Sequence, residues 1–270
     1  MEFSKKHFEN LHNKSDEGWG FSFRNSQRYR FLKTFRLIKD MDSSVKVLEI
    51  GCSAGEFTYY LKKKFTNIFA TDISEAAIIR AKEKLPDITF IVDSLPVLSI
   101  KESNFDLITV LEVLYYLDPR DQIKALNSIK NKLNGNGYLL LSTRLGPKPY
   151  YSVKEIEELV SQGFIIKTTD NLFIKQYYLA IEANLYKLYT LFDYHLPLKL
   201  KEIKGFRKVP ALFIRVFINN IVVFYLYGWI FRLLIKGFLK FVPIRFFEKL
   251  LYWLFKEKSR HIHIILAQKR

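Results

Sequence analysis

Residues 47–56 read Val-Leu-Glu-Ile-Gly-Cys-Ser-Ala-Gly-Glu. An apolar run over 45–50 carries the acid Glu49, the glycines Gly51 and Gly55 follow, and a helical stretch through Phe57, Leu61 and Phe65 comes next. Strand, glycine turn and helix start in that order make a cradle for a nucleotide-type cofactor. Glycine lets the backbone turn tightly and approach a ligand, and the helix start offers free N–H groups. The dinucleotide pattern G-x-G-x-x-G would fall on Gly51, Ser53 and Glu56, only one of them glycine. Glu56 would also face a pyrophosphate at a helix start, where like charges are unfavourable. A P-loop Gly-Lys-Ser/Thr is absent. The loop therefore suits a ligand without phosphate, an adenosine carrying an amino-acid tail.

Further residues of the right type follow in order. Asp72 closes the strand-like run 67–71 and lies 21 residues after Gly51, near the spacing of roughly 20 expected of a ribose-binding acid. Its carboxylate can accept from both ribose hydroxyls. Asp93-Ser94 follows the apolar run 88–92, Phe105-Asp-Leu-Ile-Thr-Val-Leu-Glu112 reads as a strand entering a loop, and Leu133-Asn-Gly-Asn-Gly137 turns into the apolar Tyr138–Leu141.

With these residues the sequence resembles the class I S-adenosylmethionine-dependent methyltransferases over about 15–170 and again at 261–268. The middle glycine of the family's first motif is Ser53 here. The resemblance implies S-adenosylmethionine as cofactor, held by Glu49, Gly51, Cys52, Ser53, Gly55, Asp72, Ile73, Asp93, Ser94 and Leu111, with an acid at position 93 against the adenine amino group. Locally, Ser-Ala-Gly-Glu-Phe-Thr, Glu112-Val-Leu-Tyr-Tyr116 and Trp19-Gly-Phe look like the nodulation-type branch, which methylates an amino-sugar nitrogen of a lipo-oligosaccharide. In that branch an N-terminal aromatic segment closes over the cofactor, which makes Trp19 and Tyr29 candidates; core packing explains them equally well.

Positioning these residues takes an alternating chain. Strands are expected at 45–50, 67–71, 88–92, 105–111 and 137–142, with helices at 56–64, 74–84 and 119–132 between them. Asp118-Pro119 supplies a capping acid and a first-turn proline, and Ser152-x-x-Glu155 is a capping box for a helix ending near Gly163. Strand six is expected at 164–169, and 261–267 is the remaining strand-like run. The fold class is α/β: a doubly wound, seven-stranded, mainly parallel sheet of Rossmann-like methyltransferase type, strands six and seven an antiparallel pair. The expected parts are a helical N-terminal lead or cap over 1–44, the cofactor-binding domain over 45–171 with 259–270, and an insertion over 172–258.

Composition bounds the rest. A 270-residue chain, 49% hydrophobic, can bury one good core with an appendage. The single cysteine, Cys52, excludes an internal disulfide and reads as a small buried filler. The opening Met-Glu-Phe-Ser-Lys-Lys is no signal peptide, so a cytoplasmic protein is expected. His261 and His263 alternate with Ile262 and Ile264 and read as strand residues, so no metal is expected. Net charge is +16, and residues 176–270 hold 17 Lys/Arg against 5 Asp/Glu together with 21 Phe, Tyr and Trp.

Inside this basic, aromatic insertion, Arg232, Lys236 and Lys240 are spaced to form one helical stripe, Pro243 interrupts, and 244–258 repeats the arrangement with Arg245, Lys249 and Lys256. Lys199, Lys201, Lys204, Arg207 and Lys208 precede them. Such helices suit a membrane interface. The longest uncharged run, 216–231, is 16 residues, short of the span of about 20 that crossing needs. Residues 199–258 are thus expected to meet anionic lipid at the membrane surface; a lid or subunit interface is the alternative. Nucleic acid is not expected, because the apolar faces are too large for a phosphate-tracking surface.

Methyl transfer is an in-line displacement, so an enzyme chiefly positions the acceptor, and a base matters only if the acceptor must lose a proton. Glu112, Tyr115 and Tyr116, after strand four, are the candidates for that work. The expected function is O- or N-methylation of a lipid-linked or glycolipid-like acceptor by a peripheral membrane protein. A soluble small-molecule acceptor, or a non-catalytic membrane-bound module of the same fold, are the alternatives.

Overall fold

The computed structural model describes residues 5–14, 21, 24–185 and 221–270, with the side chains of 14 and 221–229 left out. Trp19 and the basic cluster Lys199–Lys208 lie outside the described residues. Seven strands form one sheet: β1 (Lys46–Ile50), β2 (Asn67–Asp72), β3 (Thr89–Val92), β4 (Phe105–Leu111), β5 (Leu133–Arg144), β6 (Phe164–Leu172) and β7 (Ile262–Lys269). Their order is β3-β2-β1-β4-β5-β7-β6. β1 pairs in parallel with β2 and β4, and β7 runs antiparallel between β5 and β6. The expected mainly parallel, seven-stranded α/β sheet with an antiparallel β6–β7 pair is what forms.

The strands read as continuous apolar runs because both faces of the sheet are covered. Side chains alternate between the two sides. Leu48, Ile50, Ile108, Val110, Leu139 and Leu141 enter one core, whereas Val47, Leu107, Leu140, Ile264 and Leu266 enter the other. Helices α1 (Lys5–Lys14), α2 (Asn25–Arg36), α3 (Thr58–Lys62), α4 (Glu75–Lys84), α5 (Pro119–Lys132) and α6 (Val153–Ser161) accompany the sheet. The capping box at Ser152 and Glu155 is present. Asp118 does occupy the N-cap of α5, but its side chain makes no capping bond, so the helix start rests on Pro119. β5 begins at Leu133, four residues before its expected start, because the Asn134–Asn136 turn extends the ladder.

Between β6 and β7 the chain forms a short helical segment, α7 (Lys175–Tyr177), continuing through a π-turn at Tyr178–Glu182. Two longer helices precede β7: α8 (Ile221–Phe241) and α9 (Ile244–Phe255). α8 packs inward through Ile235, Leu239 and the adjoining Val242, and α9 through Ile244 and Leu251. Glu248 joins α9 to the sheet. Buried, it accepts from Tyr29 Oη at 2.7 Å, Lys33 Nζ at 2.7 Å and the Phe173 backbone N–H at 3.2 Å. Asn25 of α2 adds a bond to the Val242 carbonyl at 2.6 Å. Among the described residues no helix is long and apolar enough to cross a membrane.

Among the described residues, removing Glu248 would leave the mostly buried Lys33 ammonium with only Asp170, at 3.3 Å, as carboxylate partner. Breaking a buried pair costs more than the pair contributes. Glu248→Ala is expected to lower unfolding free energy by about 3 kcal/mol. A drop in the urea midpoint at unchanged slope would show it, and an unchanged midpoint would refute it.

Candidate functional site

The chain leaves β1 and β4, which are neighbours, toward opposite faces of the sheet. α3 packs through Leu61 into one core and α5 through Ala125, Leu126 and Ile129 into the other. A crevice opens where they part, as expected at a topological switch point. A cavity of about 260 Å³ lies there, lined among others by Glu49, Gly51, Cys52, Ser53, Asp72, Ile73, Asp93, Ser94 and Leu111, and by Glu112, Tyr115 and Tyr116. All of these were expected from the sequence.

The glycine loop is built from unusual backbone. Gly51 has φ +79° and Ser53 φ +51°. A Cβ on Gly51 would come within 2.4 Å of Val113 Cγ2. Ser53, at the position where the related motif has glycine, occupies the left-handed region at the small cost any L-residue meets there. It is held by its N–H donating to Asp72 Oδ2 at 2.8 Å. The other carboxylate oxygen, Asp72 Oδ1, accepts from Ser74 N at 2.9 Å. Each oxygen keeps a lone pair, so Asp72 both shapes the loop and can accept from ligand hydroxyls.

Two expected cofactor residues stand elsewhere. Gly55, φ +82°, lies off the cavity, and its Cβ position faces Leu85 and Ala81, so its smallness serves close packing on α4. Tyr29 does not line the cavity either, because its hydroxyl is committed to Glu248 and burial with that bond pushes its pKa up to about 12. The N-terminal cover consists instead of Phe8 and His12 of α1 with Phe21. Phe8 meets the Tyr116 ring edge-on at 5.1 Å, and Glu9 accepts from Ala76 N at 3.1 Å, fixing α1 on the start of α4. Asp93 lines the cavity, but its carboxylate takes bonds from the N–H groups of Ser94, Ser99 and Ile100 and from Ser99 Oγ, so it holds the 94–100 turn.

On the far side of the crevice, Glu112 has φ +62°, a strained value for a residue with a side chain. Its carboxylate accepts from Ser142 Oγ at 2.9 Å and from Tyr115 Oη at 3.4 Å, and lies 3.6 Å from Arg30. Burial raises the phenol pKa of Tyr115 and pushes that of Tyr116 up to about 12, so both stay protonated. They can donate hydrogen bonds but cannot serve as bases near neutral pH, which among the described residues leaves Glu112 as the carboxylate on this side.

Sequence reasoning missed Arg24 just before α2, Arg30 on α2, Arg144 at the end of β5, Tyr178 and His261. His261 is more than a strand residue: it sits just before β7, lines the cavity and packs its ring, tilted by 33°, against Tyr178 at 4.4 Å. No local signal marks these residues, because they come from four separate elements; only the sheet order brings them together. That order also sorts charge. Asp93 follows β3, and Asp72 and Glu49 lie on β2 and β1, whereas Arg144 ends β5 and the neutral His261 precedes β7. Glu56 adds a further acid beside the glycine loop.

This acidic end fits a cofactor that is cationic at its sulfonium and ammonium, and the space that a Gly51 Cβ would fill fits close approach of its backbone cradle. Residues 47–137 match the family model described as a methyltransferase domain. Malonyl-[acyl-carrier protein] O-methyltransferase 1 of Ilyobacter polytropus is 34% identical over 114 residues, 40% of this chain and 41% of that protein. Nodulation protein S of Sinorhizobium fredii is 27% identical over 135 residues, 48% of this chain and 62% of its own length. The chain thus spans between 41% and 62% of these two relatives. Among solved structures, the N-methyltransferase NodS of Bradyrhizobium japonicum in complex with S-adenosyl-L-homocysteine shares the fold at a TM-score of 0.56, with 23% identity, covering 61% of this chain and 89% of that one.

Glu49 yields a pH signature. It is buried, accepts from Thr58 Oγ1 at 2.6 Å, and burial pushes its pKa up to about 8. The folded state therefore holds a proton that the unfolded chain releases near the usual carboxylate value of roughly 4.3. Without ligand, stability from this group is fully present below that value and is lost as pH rises toward 8. In Glu49→Gln the decline is expected to flatten across this window. Thermal melts against pH check it, and identical profiles for the two proteins would contradict the assignment.

Proposed function

We propose that this chain, which belongs to the class I S-adenosylmethionine-dependent methyltransferases, methylates an oxygen or nitrogen of a lipid-linked or glycolipid-like acceptor at the cytoplasmic face of a membrane. The observation that carries the transfer reading is one cavity bounded by the glycine loop after β1 and the Glu112 loop after β4. The cofactor supplies an electrophilic methyl group when bound. Gly51, Cys52 and Ser53 offer it backbone, Asp72 offers two carboxylate oxygens to hydroxyls, and Glu49 with Glu56 favours positive charge. Glu112, fixed by Ser142 and Arg30, orients the acceptor and takes its proton where the acceptor is a hydroxyl or an ammonium. Tyr115 and Tyr116 donate to the acceptor and, with Phe8, keep water away.

Calorimetry with S-adenosylhomocysteine tests the cofactor end. The intact protein should bind, and Gly51→Val should lose binding through both its φ of +79° and the Val113 contact. Asp72→Ala should weaken it by about 1.5–3 kcal/mol, as for a lost charge-assisted bond. Equal binding by Gly51→Val would remove the loop from the assignment.

The membrane reading rests on the outer side of α8 and α9. Phe231, Leu234, Phe238, Phe241, Phe246, Trp253 and Leu254 are exposed there, 79% for Phe241 and 69% for Trp253. Large apolar side chains so placed form the kind of patch that marks an interaction surface. Lys240, Arg245, Lys249 and Lys256 stand exposed among them, and this pairing of charge with apolar area complements an anionic lipid surface. Sedimentation with anionic vesicles is expected at low salt and should weaken, not vanish, at high salt, because screening acts only on the charges. Protein left in the supernatant at low salt would make α8–α9 a lid or subunit interface instead.

A further inference from the structure

The end of the cavity away from the acids is basic, and its charges are unequally satisfied. Arg24 is neutralised: its guanidinium lies 2.5 Å from Glu182 Oε1, which also accepts from Ser26 Oγ at 2.6 Å. Arg30, 6% exposed, faces Glu112 at 3.6 Å while its Nε has no partner. Arg144 has no carboxylate within ion-pair distance among the described residues. Instead its guanidinium lies between two rings, 4.7 Å from the centroids of Tyr150 and Tyr178, with only long contacts of 3.4 and 3.5 Å to their hydroxyls. Aromatic faces hold a guanidinium in place without consuming its N–H donors, and the planar fork is then left to meet an oxyanion. His261, its ring packed against the same Tyr178, lines the cavity beside it. Burial first, and then Arg144, Arg24 and Arg30 together with Lys175, bring its pKa down to about 3. The ring is therefore neutral, with one N–H to donate. Among the described residues, Glu112 and Glu182 are the acids facing this group, and each is already engaged by an arginine.

An acceptor that was merely apolar or neutral would cover the half-buried Arg144 and take its charge from water with no counter-charge beside it, which is costly. We propose that the acceptor carries an oxyanion, a phosphate or a carboxylate, close to the atom that is methylated, and that Arg144, clamped between Tyr150 and Tyr178 and flanked by Arg30 and His261, binds it. This rests on the methyltransferase reading and deepens it: one cavity holds a cationic cofactor at its acidic end and an anionic acceptor at its basic end.

The test uses the full chain saturated with S-adenosylhomocysteine and titrated with inorganic phosphate, malonate and dihexanoyl phosphatidate. Thermal shift and calorimetry give the readout. At least one of these probes should bind, and Arg144→Gln should weaken it about tenfold, Arg144→Lys less so, because a lysine keeps charge without the stacked fork. Lys154→Gln, which removes a charge from a site 84% exposed on α6, should bind the probe as the parent does. Preference for phosphatidate over phosphate would indicate a lipid phosphate, equal binding a free phosphorylated acceptor, and preference for malonate a carboxylate. Retained S-adenosylhomocysteine binding in Arg144→Gln and Arg144→Lys reports that they are folded. Equal probe binding by parent and Arg144→Gln, an equal loss in Lys154→Gln, or no binding of any probe to cofactor-loaded protein would overturn the oxyanion site and leave the methyltransferase reading standing. Failure of the parent to bind S-adenosylhomocysteine would overturn both.

Discussion

Much of this structure depends on the parallel pairing of β1 with β4. Val47–Ile50 lie beside Leu107–Val110 in register, yet the chain leaves the two strands toward opposite faces. Crossovers between parallel strands are right-handed, so α3 and α5 have no freedom to share a face. The loop that begins with Gly51 and the loop that begins with Glu112 are therefore held apart over one crevice. The sheet also sets what the crevice contains. Period-two alternation puts Glu49 on the same side as Val47, at the edge of the glycine loop, while Leu48 and Ile50 fill the opposite core.

The crevice is expensive to maintain. Gly51, Ser53 and Glu112 all have positive φ, and two of the three carry side chains. Glu49 and Asp72 are buried, and burial raises both carboxyl pKa values. Such strain and desolvation persist only where surrounding structure over-determines them. Here Thr71 provides that support: its carbonyl accepts from the N–H groups of both Gly51 and Cys52, at 2.8 and 2.9 Å, so β2 holds the turn that β1 enters. The unfavourable burial of acids is the same feature that would favour a cationic ligand, and a cation near Glu49 would draw its pKa back down.

The sheet and the cofactor end were readable in the sequence because their determinants are local. Gly51 and Asp72 each follow an apolar run, and the runs themselves are continuous because the strands are covered on both sides. The basic end of the cavity was not readable for the converse reason. Arg24 immediately precedes α2 and Arg30 sits on it, Arg144 ends a strand, and His261 lies more than 100 residues further along. Nothing in their neighbours distinguishes them from surface charge. Tyr29 and Gly55 were misplaced for a related reason: an aromatic before a glycine loop and a second glycine within it are compatible with ligand contact, yet their positions were decided by Glu248 and by α4.

Helix α2 connects the two parts of the molecule that local sequence could not relate. Along its 12 residues, Tyr29 and Lys33, one turn apart, grip Glu248 of α9, while Arg30 next to them reaches Glu112 in the cavity. Arg24, just before the helix, is tied to Glu182 in the segment after β6. A helix this short behaves as a rigid rod on the scale of these contacts. A shift of α9 against α2 must therefore either break the buried Glu248 contacts or carry Arg30 relative to Glu112. The α8–α9 segment and the basic end of the cavity are thus mechanically joined through one element. Whatever covers the exposed face of α8–α9 therefore bears, through α2, on how Arg30 sits against Glu112.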